Sequence, residues 1–115
     1  MHELGIVCQV IKTVDEIATE QNIEKVDEIV LEIGELCGMV PSYVETCFPA
    51  CTFDKPRFAE TKLKMEIVPG QAKCDKCGRI FNVLKYEGYC PSCGGFDKQL
   101  LGGREFVIKE IIVNE

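Results

Sequence analysis

Two pairs of cysteines constrain this chain more than any other feature of its sequence. Cys74 and Cys77 form one C-x-x-C motif, Cys90 and Cys93 form a second, and a glycine follows each motif directly. Such a turn directs both sulfur atoms at one ion, and the glycine permits the positive φ that aims backbone N–H groups at the thiolates. The pattern predicts a tetrahedral four-cysteine site for Zn²⁺, the alternative being two disulfides or four unrelated buried thiols. Because protein ligands fill all four positions, we predict a structural rather than a catalytic site.

Length and composition indicate a small globular protein. The chain has 115 residues, 46% of them hydrophobic, which fits one modest domain or a small domain with a metal-stabilised module. No apolar run approaches the roughly 20 residues of a membrane span, and Met1-His2-Glu3 lacks the basic start of a signal peptide. We therefore predict a cytoplasmic protein without a membrane segment, in a compartment whose reducing conditions favour metal-binding thiolates.

The charge distribution argues against a nucleic-acid partner. The net charge is −6, and residues 70–104 hold six Lys or Arg against three Asp or Glu, whereas the rest of the chain holds seven against sixteen. Proteins that bind nucleic acid normally present a strongly basic face to the phosphates. Most of this surface would repel them.

Hydrophobic periodicity predicts two helices. Apolar residues recur at steps of three and four over residues 5–21, which is typical of an amphipathic helix. A second helix is expected to begin at Pro41, which suits the first helical position. Pro49 cannot donate to the carbonyl of Glu45 and disfavours α geometry at Phe48, so we expect this helix to kink or end there.

Three further segments read as strands. Residues 25–34 predict a half-buried strand, and residues 62–68 and 105–113 predict two more. The cysteine module lies between the last two, so we predict an α+β fold with a small sheet, two helices and a four-cysteine zinc-ribbon module inserted at the tip of a late hairpin. The expected division is a domain of residues 1–69 and 104–115 and a zinc module of residues 70–103, with Gly70, Gly102 and Gly103 as flexible joints.

The sole histidine, His2, lies directly after Met1. A terminal amine, the amide nitrogen of residue 2 and its imidazole can chelate one ion in a plane, with the Glu3 amide or another donor as the fourth ligand. Such nitrogen ligands suit Ni²⁺ or Cu²⁺ better than Zn²⁺. The alternative is a solvated terminal side chain.

Four cysteines remain outside the two motifs: Cys8, Cys37, Cys47 and Cys51. The spacing of Cys47 and Cys51 would put both thiols on one face of an unbroken helix. We interpret the four as small buried hydrophobic side chains, with a soft secondary metal site as the alternative. A Cys-His catalytic pair has little support, because the one histidine is terminal.

Taken together, the motifs resemble a known family. Met1-His2-Glu3, Ile33-Gly34-Glu35-Leu36 leading to Val40-Pro41, the two cysteine motifs and the closing strand match the HypA/HybF family in order and spacing. Those proteins are nickel metallochaperones of NiFe-hydrogenase maturation, and some also serve urease.

The resemblance implies a nickel-binding α+β domain with an inserted zinc module, and no enzymatic activity. It implies nickel at Met1, His2 and Glu3, and zinc at the ligands listed here: Cys74, Cys77, Cys90 and Cys93. Its implied partners are the GTPase HypB and the hydrogenase large-subunit precursor. Separately from the resemblance, glycine joints around an inserted module would permit its exchange between protomers, which would give a homodimer.

Two other functions compete with nickel delivery. A zinc-ribbon adaptor for protein or nucleic acid would use the same cysteine motifs, and a rubredoxin-like electron carrier would place iron in them. Metal content and colour distinguish the carrier, because iron in four thiolates is red when oxidised and zinc is colourless.

Overall fold

The computed structural model describes residues 2–114, with the backbone alone at His2. The elements follow in chain order: α1 (His2–Glu20), β1 (Glu28–Gly34), α2 (Pro41–Thr52), a 3-10 turn (Pro56–Phe58), β2 (Lys62–Val68), β3 (Gln71–Cys74), β4 (Ile80–Asn82), β5 (Lys98–Gly102) and β6 (Phe106–Ile112). Two helices with small sheets confirm the predicted α+β class. Within the described range, neither helix is long and apolar enough to cross a membrane.

The chain forms two compact units. The first comprises residues 1–32, 39–66 and 107–115, and the second comprises residues 33–38 and 67–106. The sequence predicted a nickel-binding domain of residues 1–69 and 104–115 and a zinc module of residues 70–103. That division stays a prediction. The second unit includes a segment that precedes the cysteine module by more than thirty residues.

Helix α1 begins three residues earlier than predicted and buries one stripe of its surface. Val7, Ile11, Val14 and Ala18 are buried, at steps of four, three and four residues, as an amphipathic helix requires. The helix ends in a Schellman motif, in which the N–H of Ile23 donates to the carbonyl of Ala18 at 2.8 Å. The residue between them that takes the left-handed conformation is Asn22, at φ 57°.

Helix α2 begins at Pro41 as predicted but does not end at Pro49. It continues to Thr52, with Pro49 inside it. The Thr52 hydroxyl donates to the carbonyl of Phe48 at 3.1 Å, which adds a side-chain bond within the last turn. The buried residues of α2 are Val44 and Cys51. Burial of Cys51 stabilises the helical turn after Pro49, whereas the local helix propensity of that turn does not.

Strand β1 lies between β2 and β6 in a three-stranded sheet. Because β1 is the central strand, its consecutive residues Ile29, Val30 and Leu31 are all buried. The prediction that only one face of this strand is buried is wrong. The hairpin prediction is wrong for the same reason: β2 and β6 are separated by β1, so the inserted module does not lie at the tip of a hairpin formed by those two strands.

The second unit contains its own three-stranded antiparallel sheet, in the order β4-β3-β5. Its small core consists of Ala72, Cys74, Phe81 and Cys90, with Val83 and Tyr86 packed against it. Two of the four motif cysteines are therefore core residues. A core of this size gives little stability by itself.

Glycines in the second unit permit close packing between backbone segments. A Cβ on Gly34 would lie 2.1 Å from the carbonyl oxygen of Gly103, and one on Gly103 would lie 2.5 Å from the Cα of Gly70. Gly103 also has φ 89°. Gly70 and Gly103 are thus packed where a side chain would not fit, and the prediction that they are flexible joints stays a prediction.

Hydrogen bonds to Glu35 connect the 33–38 segment to the rest of the second unit. Its carboxylate accepts from the Gly70 N–H at 2.8 Å and from the Asn82 side-chain amide at 3.0 Å. The backbone N–H of Leu36 donates to the carbonyl of Gly103 at 2.7 Å. The Gly70 and Asn82 donors hold the pKa of the Glu35 carboxyl below its usual value.

Candidate metal centre

The two cysteine motifs fold into turns with the same hydrogen bonds. In the first, the Gly78 N–H donates to the Cys74 carbonyl at 2.9 Å, and in the second the Gly94 N–H donates to the Cys90 carbonyl at 2.9 Å. Both glycines have positive φ, 80° at Gly78 and 72° at Gly94. The conformation that the sequence predicted for the glycine after each motif is confirmed.

The four motif sulfurs form one cluster. The Sγ atoms of Cys74, Cys77, Cys90 and Cys93 all lie within 4.8 Å of one another. The Cys74–Cys93 and Cys77–Cys90 separations are both 3.5 Å. Four thiolates held tetrahedrally at the usual Zn–S distance of about 2.3 Å would be roughly 3.8 Å apart. The cluster therefore has the size and donor set of a tetrahedral metal site, and the alternative of two disulfides or unrelated thiols is wrong.

Backbone donors favour negative charge on two of these sulfurs. The Cys77 N–H, opposed by burial, lowers the pKa of the Cys74 thiol. At Cys90 burial raises the pKa, but the N–H groups of Cys93 and Ser92 outweigh it and bring the pKa to about 6. At Cys77 the Arg79 N–H acts to lower the pKa, yet the neighbouring thiol of Cys90 and burial raise it to about 11. These N–H groups thus favour the thiolate form at Cys74 and Cys90, and binding a cation would displace the protons that the cluster holds.

A hydrogen bond between two side chains joins the two turns. Arg79, just after the first motif, donates to the hydroxyl of Ser92 inside the second at 2.7 Å. Gly95 lies beside the sulfurs, where a Cβ would be 3.3 Å from the Cys93 Sγ. These contacts fix the turns against each other, so the four thiols are held close together by the fold of the second unit.

The predicted nickel ligands are described only in part. Met1 and the side chain of His2 lie outside the described residues. Glu3 is half-buried in the first turn of α1. Of the described residues, the one group of three or more potential metal-binding side chains with clustered ligand atoms is the four-cysteine cluster.

The prediction that the other four cysteines are small buried side chains is wrong at Cys8, Cys37 and Cys47, because Cys51 alone of the four is buried. Cys8 is exposed and forms a disulfide with the buried Cys51, with their Cα atoms 5.1 Å apart. Cys47, four residues before Cys51, is half-buried. The bonded pair is separated by 43 residues, so no local signal in the sequence indicated it. The α1–α2 packing brings the two sulfurs together.

Fold and cluster define a small α+β metal-binding protein, and comparison with known proteins places it in a family. A family model described as hydrogenase/urease nickel incorporation, metallochaperone, hypA, matches residues 1–113. The chain belongs to this HypA family. It is accordingly a maturation factor of a metallochaperone family and not an enzyme.

Individual relatives agree with this assignment. The hydrogenase maturation factor HypA of Geobacter sulfurreducens is 40% identical over 114 residues, covering 98% of this chain and 99% of the relative. The protein of the same name from Geobacter metallireducens is 37% identical over 113 residues, with the same coverage. The solution structure of the nickel metallochaperone HypA from Helicobacter pylori matches with TM-score 0.65 and 22% identity, over 95% of this chain and 94% of the other, which supports the fold. The predicted resemblance is confirmed.

Proposed function

We propose that this protein binds Ni²⁺ through its N-terminal residues and delivers it for maturation of NiFe hydrogenase, and also of urease where that enzyme is the client. The observation that carries the proposal is the family match over residues 1–113, whose description names nickel incorporation. A delivery protein must release its ion, so the cargo site needs ligands that another protein can replace.

The cysteine cluster is proposed as a structural zinc site. Its four sulfurs lie within 4.8 Å of one another, and tetrahedral thiolate ligation suits Zn²⁺. Four protein ligands leave no coordination position through which cargo could be exchanged. We therefore propose that nickel binds outside the cysteine cluster.

The proposed nickel ligands are the Met1 amine, where Met1 is the first residue, and the amide and imidazole nitrogens of His2, with Glu3 as a local contributor. Planar nitrogen donors favour Ni²⁺ over Zn²⁺. Release would proceed by ligand exchange with a more complete site on the acceptor. We propose the GTPase HypB and the hydrogenase large-subunit precursor as partners and the cytoplasm as the compartment.

The test is a nickel titration of zinc-loaded protein with the chain beginning at Met1. We expect His2→Ala to abolish high-affinity nickel binding, and one added residue before Met1 to weaken it, while zinc content stays unchanged in both variants. Binding to the wild type should weaken as pH falls through about 6.5, because only the neutral imidazole coordinates. Equal nickel affinity in wild type and His2→Ala would contradict the N-terminal site.

Zinc content in the same samples is the matched control. Loss of both metals from His2→Ala would indicate a folding defect rather than loss of a ligand. A red purified protein would indicate iron in the cluster and the rubredoxin-like alternative.

A further inference from the structure

The disulfide between Cys8 and Cys51 joins the two helices at the start of α1. Cys8 lies two turns into α1 and Cys51 lies in the last turn of α2, with their Cα atoms 5.1 Å apart. The Cys51 Sγ also lies 3.8 Å from the carbonyl oxygen of Leu4 in the first turn of α1. Oxidised, the pair ties the first two turns of α1 to α2. Reduced, the Cys51 thiol could donate weakly to Leu4.

The two cysteine residues differ in their exposure to solvent. Cys8 is exposed, whereas Cys51 is 5% exposed. Thiol–disulfide exchange requires a thiolate to approach one sulfur of the disulfide along the S–S axis. A small thiol can therefore attack at Cys8 and expel the Cys51 thiolate, while attack at Cys51 is hindered by burial.

We propose that Cys8 and Cys51 form a reversible redox pair that exchanges with low-molecular-weight thiols and disulfides and controls the opening of the first turns of α1. In a reducing compartment a protein disulfide is usually transient or redox-sensing rather than permanent. Cys8, the exposed residue of the pair, provides the entry point that reversibility needs. The cytoplasmic setting, and the consequence for nickel below, rest on the proposed function.

Oxidation proceeds in two exchange steps. The Cys8 thiolate attacks a disulfide RSSR, forming a mixed disulfide at Cys8 and releasing one RS⁻. The Cys51 thiolate then attacks the Cys8 sulfur, forming the Cys8–Cys51 bond and releasing the second RS⁻. Two protein thiols are oxidised, one RSSR is reduced to two RSH, and the two protons from the protein thiols pass to the released thiolates. Reduction by two RSH reverses these steps.

In the sequence, Cys8 follows the last of the proposed nickel ligands, Glu3, by five residues. Chelation by consecutive backbone nitrogens at residues 1–3 needs backbone angles that an α-helix does not have, so the start of α1 must open. A bond at Cys8 limits how far this opening extends. The reduced protein is therefore expected to open more readily and to bind Ni²⁺ more tightly than the oxidised protein.

The test uses full-length, zinc-loaded protein equilibrated in glutathione buffers from reducing to oxidising. Alkylation and peptide mass spectrometry should detect a Cys8–Cys51 link whose fraction follows the buffer in both directions. Amide hydrogen exchange should be faster over residues 4–12 in the reduced form, on the order of tenfold, and unchanged over residues 70–104. A link that forms irreversibly or not at all, or exchange at residues 4–12 that ignores the redox state, would overturn the proposal.

Two single variants sharpen the result. Cys8→Ser should show the exchange of the reduced form in every buffer, and its Cys51 should stay unmodified by glutathione because it is buried. Cys47→Ser, the matched control from the same helix, should titrate as the wild type does. Glutathione on Cys51 in Cys8→Ser would contradict the proposed order of attack.

Nickel titration of the two redox states separates this inference from the proposed function. If hydrogen exchange follows the redox state while nickel affinity does not, the redox pair is retained and its coupling to nickel is rejected. Nickel binding that survives in His2→Ala would reject the N-terminal site without affecting the redox pair.

Discussion

At the scale of single residues, the most constrained positions are glycines in the second unit. Gly34, Gly70 and Gly103 lie where backbone segments meet so closely that a Cβ would fall 2.1 to 2.5 Å from a neighbouring atom. At Gly34 and Gly103 those neighbours are backbone atoms, which cannot rotate away as a flexible side chain can. These glycines therefore hold the 33–38 segment against the residues that flank the cysteine module.

Gly34→Ala is expected to destabilise the protein by about 3 kcal/mol, at the upper end of the usual cost of overpacking. Its Cβ would lie 2.1 Å from the Gly103 carbonyl oxygen, so one backbone segment must move. Urea unfolding would measure the change. Gly5→Ala is the control, because its Cβ would come within 4 Å of no atom of the described residues outside its own turn of the helix, and it should gain about 1 kcal/mol in helix α1. Equal stability of Gly34→Ala and wild type would contradict the close packing.

At the scale of elements, α2 tolerates an internal proline. Pro49 removes one intrahelical donor, yet the helix runs on to Thr52, and the buried Cys51 lies beyond the proline. Tertiary packing and the bond to Cys8 outweigh the local penalty. The last turn of the helix is therefore stabilised by contacts with residues outside the helix.

Pro49→Ala is expected to stabilise the protein by about 1 to 2 kcal/mol. The new N–H can donate to the Glu45 carbonyl, and the gain is reduced because alanine leaves the unfolded chain more freedom than proline. Thermal unfolding under fixed redox conditions would detect it. Pro56→Ala is the matched control, since Pro56 occupies the first position of its 3-10 turn and should give no gain. A destabilised Pro49→Ala would mean that the proline ring itself contributes to packing.

At the scale of the whole molecule, the two units depend on different sources of stability. The first unit has a buried stripe along α1 and consecutive buried residues in β1. The second has a core of four residues that includes two of the clustered cysteines. Metal binding at such a site contributes apparent free energies on the order of 10 kcal/mol. The second unit should therefore depend on its metal and the first should not.

Removing the metal with a chelator under reducing conditions should abolish amide protection in β3, β4 and β5 while α1 and β1 stay protected. Cys90→Ser should reproduce this loss without chelator, because Cys90 is buried and no remaining side chain replaces its thiolate. Cys47→Ser is the control and should keep its metal. Full protection of β3 in metal-free protein would show that the small core suffices.

The sequence predicted the elements that depend on short-range patterns. Helix α1, the start of α2 at Pro41 and strand β2 follow from periodicity and proline chemistry, and the C-x-x-C-Gly spacing predicted turns that the structure confirms at Gly78 and Gly94. The order of strands could not be predicted, because alternation shows which face is buried but not which strand is the neighbour.

By itself, the sequence determined the fold class, the family and the members of the four-cysteine cluster, since each depends on residue types at fixed spacings. Tertiary structure alone decided three things: that β1 separates β2 from β6, that Gly70 and Gly103 lie in close backbone contacts, and that Cys8 bonds Cys51. All three depend on contacts between residues far apart in the chain. The physical reason is that chain spacing specifies local geometry, whereas these contacts exist only after the helices and strands have packed.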